Sequence, residues 1–154
     1  MQLAASTPLS IIQPFGEDLQ QADIDSSRSV QNMDDFEIRA LLDEIRRADQ
    51  QYRDSLYNGN PLHMSFYTQK IKRNDAANER LLHKLVTHIG WPSINRFGEE
   101  HAYTAWLVVW HHRNDLQILL KYLPFIEAAY RQQDINEALF NQIVTRIKLL
   151  ESIK

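Results

Sequence analysis

From Asp34 onward, apolar residues recur every three or four positions, and that spacing predicts a chain of helices. In the first, Phe36, Ile38, Leu41, Leu42, Ile45, Ala48, Tyr52 and Leu56 keep the period, with Ile38 slightly off the main stripe. Asp34 and Glu37 stand at capping-box spacing, so this helix is predicted to open at Asp34. It is expected to run to about Tyr57, where Asn58-Gly59-Asn60-Pro61 ends it. A second helix is predicted over Ser65 to Ile89, with a polar first half that is read as belonging to it or as a separate piece. Gly90 is its stop.

The stretch Gly90 to Gly98 reads as a loop with aromatic anchors, because Trp91 precedes a proline and is pushed out of helical dihedrals. Helix three, Glu99 to about Arg113, is apolar on most sides over its second half, so it is expected to be the central helix, with Trp106 buried. Pro124 predicts a break between two short helices, one through Leu116 to Leu123 and one starting at Phe125. The last helix is expected to open on a second capping box, Asp134-x-x-Glu137, and to carry Ile135, Leu139, Ile143, Ile147 and Leu150 on one stripe. No alternating strand pattern and no internal repeat are visible. The fold class is therefore all-α, a compact bundle of five or six helices over residues 34–154.

Residues 1–33 differ. Pro8, Pro14, Gly16 and the serines at 26, 27 and 29 interrupt any period, so this stretch reads as a mobile N-terminal arm. Its apolar cluster Leu9, Ile11, Ile12 and Phe15 offers the alternative of docking on the domain or on a partner.

Composition narrows the function classes. At 154 residues, folding hides about 70% of the extended chain's surface, enough for one core without staples. The chain has no cysteine, which removes disulfides, thiolate chemistry and cysteine-based zinc sites. A net charge of -3 and a pI near 6.0 argue against a nucleic-acid binder, and Lys70, Lys72 and Arg73 read as a solvated helix face. No run approaches the roughly 20 apolar residues that span a bilayer, and no secretory signal is legible, so no membrane association is expected and cytoplasmic residence is the default.

The six histidines lack metal spacing: there is no His-Glu-x-x-His and no pair four apart. His101 and His112 share a helix face but stand roughly 16 Å apart along the axis. No metal and no cofactor are expected. His111 follows the apolar run Trp106 to Trp110 at the end of helix three, where it either satisfies terminal carbonyls and the helix dipole or serves a site. Asp49 and Arg53, four apart, form a surface ion pair if exposed. Buried, Arg53 becomes a fork for carboxylate or phosphate, with Asp49 orienting it. Trp91, Trp106 and Trp110 read first as core aromatics.

Five segments together resemble an uncharacterised bacterial family, a domain of unknown function. They are Asp49-Gln50-x-x-Arg53, Asp75-x-x-Asn78, Gly90-Trp91-Pro92 with Gly98, Ala105-Trp106-Leu107 leading to His111, and Arg146. The Gly-Trp-Pro segment followed by a helix that ends in histidine carries most of the likeness. Three features depart from the family pattern. Trp110 replaces a glutamine before the histidine, Thr145 replaces an aspartate before the arginine, and the sequence stops at Lys154 without a Gly-Thr-Gln-type tail. The resemblance implies a shared helical fold and adds Asp75, Asn78, Trp91 and Arg146 to the candidate site, but it implies no reaction.

The first functional expectation is a helical binding module for a protein partner or a small anionic ligand, with a polar cleft, the N-terminal arm and the aromatic loop as contact surfaces. The alternative is a small enzyme in which His111 is acid or base, Arg53 holds an anionic group, and Asp49 or Asp75 orients the site. An immunity, antitoxin or effector protein is a third reading. For the site itself, Asp49, Arg53, Asn78 and His111 are expected to gather in one cleft beside Trp91, because a buried Arg and His must be paired.

Overall fold

The Asp34 side chain accepts a hydrogen bond from the Glu37 N–H at 2.8 Å, and the Glu37 carboxylate accepts one from the Asp34 N–H at the same distance. The capping box thus opens α1 (Asp35–Gln50) as its spacing predicts. The computed structural model describes residues 19–153. Among them there is no strand, and five long helices make up the bundle.

The helix expected to reach Tyr57 is two helices. α1 stops at Gln50, and α2 (Arg53–Asn58) begins after Tyr52, whose ring is buried against the edge of Phe66 and the face of Tyr67. The stripe also shifts. Ile38 is fully buried while Phe36 is 77% exposed, so the supposed outlier belongs to the core and the first member of the stripe does not.

After a 3-10 turn (Pro61–His63), α3 (Met64–Ile89) runs as one unbroken helix. Its polar first half is solvated only in part: Lys72 and Arg73 are exposed as expected, whereas Lys70 is buried. Asn74 and, one turn on, Asn78 are buried as well, and all three buried polar residues are bonded to another part of the chain. Gly90 ends α3 with a positive φ of 78°, a conformation that glycine adopts without strain.

The aromatic loop contains one turn of helix, α4 (Ile94–Phe97), and then comes α5 (Glu99–His111). α5 packs on α1, α3, α4 and α6, so it occupies the centre as its composition predicts. Trp106 is buried there, and its indole N–H donates to the Leu139 carbonyl at 3.1 Å.

α6 (Leu116–Arg131) corrects the expected break at proline, because Pro124 lies inside a continuous helix. The carbonyl deprived of its partner is that of Leu120, on the solvent side of the helix. α7 (Glu137–Ser152) is capped by Asn136, which accepts from the Leu139 N–H at 2.9 Å. The box expected at Asp134 does not form. Its carboxylate accepts from the Ile94 N–H at 2.8 Å and ties the start of α4 to the turn before α7.

The expected mobile arm is also redrawn. Residues 19–33 lie on the bundle, with Ile24 and Val30 in the main core. Asp23 pairs with Lys70 at 2.8 Å, and Asn74 binds both the Asp23 N–H and its carboxylate. A buried lysine and asparagine on α3 demand partners, and this segment supplies them. The cluster Leu9, Ile11, Ile12 and Phe15 lies outside the described residues. Among the described residues, no helix is long and apolar enough to cross a membrane.

Candidate functional site

Four side chains from four helices meet in one polar chain. Asp49 sits in the last turn of α1, Arg53 opens α2, Asp75 lies in the middle of α3, and His111 closes α5. His111 Nδ1 lies 2.6 Å from Asp49 Oδ1. Arg53 Nε donates to His111 Nε2 at 3.2 Å, and Arg53 Nη2 donates to both oxygens of Asp75 at 2.9 and 3.0 Å. Asp49 is 1% exposed, His111 14% and Arg53 17%, so the Asp49–Arg53 pair is not the surface pair its spacing suggests. Their direct separation is 4.0 Å, and Arg53 spends its bonds on residues farther along the chain.

Local structure explains the convergence. Because the helix breaks after Gln50, Arg53 starts a new helix instead of extending the face that carries Asp49. On α3, Asn74 and Asn78 donate to the carbonyls of Ala48 and Ile45, at 3.1 and 3.0 Å. These bonds occupy main-chain acceptors in the last turns of α1 and hold that helix end against α3. At the end of α5 the two adjacent histidines part company. His111 turns to Asp49 and Arg53, while His112 Nε2 bonds the Asp75 carbonyl at 3.1 Å.

The electrostatics are unbalanced. Two carboxylates face one guanidinium in a largely buried place. Burial pushes the Asp75 carboxyl above the ordinary carboxylate range, Arg53 pulls it back down, and Asp49 adds to the rise. Arg53 also carries an unused donor: its Nη1 is buried and has no hydrogen-bond partner among the described residues. Asp49, Asp75 and His111 each bring one donor atom within 4.8 Å of the other two, a spacing compatible with a divalent cation. The Arg53 guanidinium bonds two of the three, so the cluster already contains its own cation. No short-range motif search finds this set, because its members come from three separate helices.

Arg53 and His111 border a cleft of about 520 Å3. Leu56, Ile71 and Leu107 give it apolar wall, and Asp54 and Arg113 give it charge. Sequence reasoning missed Arg113. Its guanidinium lies 5.3 Å from the centre of the Trp110 ring and makes only a long 3.4 Å bond to the Trp110 carbonyl, and among the described residues it has no acidic partner. Its position two residues past His111, just beyond the end of α5, was the available signal.

The remaining expected site residues stand apart. Asn78 is buried and bonded to backbone, and its Oδ1 has no partner among the described residues. Trp91 is buried in the main core and does not line the cleft, so the site is not beside it. Phe97 is buried as well. Arg146 reaches from α7 to the Arg113 carbonyl at 2.8 Å and to the Asn114 side chain, which fixes the turn that carries Arg113. Comparison with protein-family models, with curated proteins and with solved structures returns no match.

Proposed function

We propose that this chain is a helical binding module whose cleft between α2, α3 and α5 takes a small oxyanion-bearing ligand. The observation that carries the reading is Arg53 Nη1, a buried charged donor with no hydrogen-bond partner among the described residues, on a side chain that borders a ligand-sized cleft. A buried donor left unpaired costs about 1 to 3 kcal/mol, which a phosphate or carboxylate oxygen would recover. Arg113 adds a second guanidinium at the same cleft, with no ion pair among the described residues. The apolar wall of Leu56, Ile71 and Leu107 suits an uncharged body attached to the anionic group.

Titrating inorganic phosphate and acetate into the full chain by calorimetry tests this. Arg53→Met and Arg113→Met are each expected to weaken oxyanion binding at least tenfold. Arg96→Met, which removes an exposed partner of Asp35, is expected to leave it unchanged. Equal binding by all four proteins would place the anion elsewhere.

A further inference from the structure

The proton on His111 is located by its partners. Arg53 Nε can only donate, so the Nε2 it meets presents a lone pair, and the proton of the neutral ring lies on Nδ1. Nδ1–H donates to the Asp49 carboxylate, which is shielded from water at 1% exposure. A carboxylate behind a histidine in this way fixes the tautomer and stabilises the imidazolium that forms when Nε2 takes a proton. The open end of the dyad is covered by the arginine that borders the cleft.

Resting on the oxyanion reading of that cleft, we propose that His111 Nε2 is a general base held in reserve by Arg53, and that a bound oxyanion uncovers it by drawing the guanidinium away. Arg53 holds Asp75 through a single nitrogen and leaves Nη1 idle. Turning the guanidinium onto two oxygens of a ligand makes short, charge-assisted bonds. The bond given up to Nε2, at 3.2 Å, is at the long end for N–H donors. The base then faces the ligand that released it. A proton passes from a hydroxyl or activated C–H of that ligand to Nε2, the bonding pair stays on the ligand's oxygen or carbon, and the ring becomes an imidazolium still bonded to Asp49. No oxidant or second reactant is required. The charged and titratable groups around the ring and cleft are Asp49 from α1, Arg53, Asp54 and Tyr57 from α2, Asp75 from α3, and His112 and Arg113 just beyond α5.

The test is a long-range proton–nitrogen correlation spectrum of the His111 ring in the 15N-labelled full chain at neutral pH, with and without inorganic phosphate. Without phosphate, the wild type is expected to show Nδ1 protonated and Nε2 as a hydrogen-bonded acceptor. Arg53→Met is expected to move Nε2 downfield toward a bare imine nitrogen, and Arg53→Lys, which retains a cation for Asp75, to do the same if the methionine variant does not fold. Phosphate is expected to reproduce that shift in the wild type and to add nothing in either variant. An Nε2 signal identical in wild type and variants overturns the inference, and so does phosphate that binds by calorimetry yet leaves the wild-type signal unmoved. Phosphate that fails to bind at all overturns the oxyanion reading and the release step with it, while the variant spectra still decide whether Arg53 covers the base.

Discussion

Lys70 and Asp23 form an ion pair at 2.8 Å across 47 positions of sequence, and Lys70 is 2% exposed. A lysine this far from water is stable only while its partners, Asp23 and the Gln21 carbonyl among them, stay in place. Asp23→Ala is therefore expected to cost about 3 kcal/mol, the lower end for breaking a buried pair, because Asp23 itself is 21% exposed. Removing residues 19–33 outright also strips Ile24 and Val30 from the core and is expected to lower Tm by more than about 10 °C. Thermal melts of the two truncations, one starting at residue 19 and one at residue 34, check this. Equal midpoints would mean that the segment contributes nothing.

Trp106→Ala is expected to destabilise the domain by roughly 3 to 5 kcal/mol, as for other large core aromatics. The indole is buried between Tyr103 and Trp110, and its N–H is bonded to α7, so truncation leaves a cavity and removes a bond between α5 and α7. Urea denaturation measures it. A loss below 1 kcal/mol would show that α5 is not the central support.

The helical period made the bundle legible, and capping chemistry fixed the start of α1 and the stop at Gly90. What the sequence hid was which polar residues were inside. Lys70 and Asn74 look like a solvated face until segment 19–33 is placed against them. Asp134 looks like a helix cap because cap spacing is local, whereas its partner Ile94 lies 40 residues away. Pro124 looks like a break because the rule assumes a buried carbonyl at Leu120. Asp49, Arg53 and His111 were legible as candidates, and their convergence followed from the need to pair buried charge. Arg113 was not legible, since an arginine near a helix end has many exposed uses.

Asp75 sets a pH signature on stability. Its carboxyl is raised above 3.8 by burial, so over a window beginning there and ending at the raised value the folded protein keeps a proton that the unfolded chain has released. Stability falls as pH rises through that window, and the full cost persists above it. Asp75→Asn removes this slope. Urea melts at a series of pH values are expected to show the wild-type free energy, minus that of the variant, declining from acid toward neutral pH. A difference that grows with pH would mean that Arg53 outweighs burial.

Replacing His111 separates packing from charge. His111→Gln retains a donor for Asp49, whereas His111→Leu leaves a 1% exposed carboxylate with one fewer partner. The leucine variant is expected to be the less stable of the two by about 1 to 3 kcal/mol in denaturant melts. The ordering would reverse if the site were held mainly by apolar contact.

The polar chain also bears on when the site comes into being. Its bonds close sequence separations of 22 residues between Arg53 and Asp75, 58 between Arg53 and His111, and 62 between Asp49 and His111. Neighbouring helices can pair early in folding, but each of these long loops must lose its freedom before the last bonds form. The Asp49–His111 contact therefore belongs to the final docking of α5 onto α1, and a nascent chain that has emerged only as far as α3 holds three of the four groups with no imidazole between them.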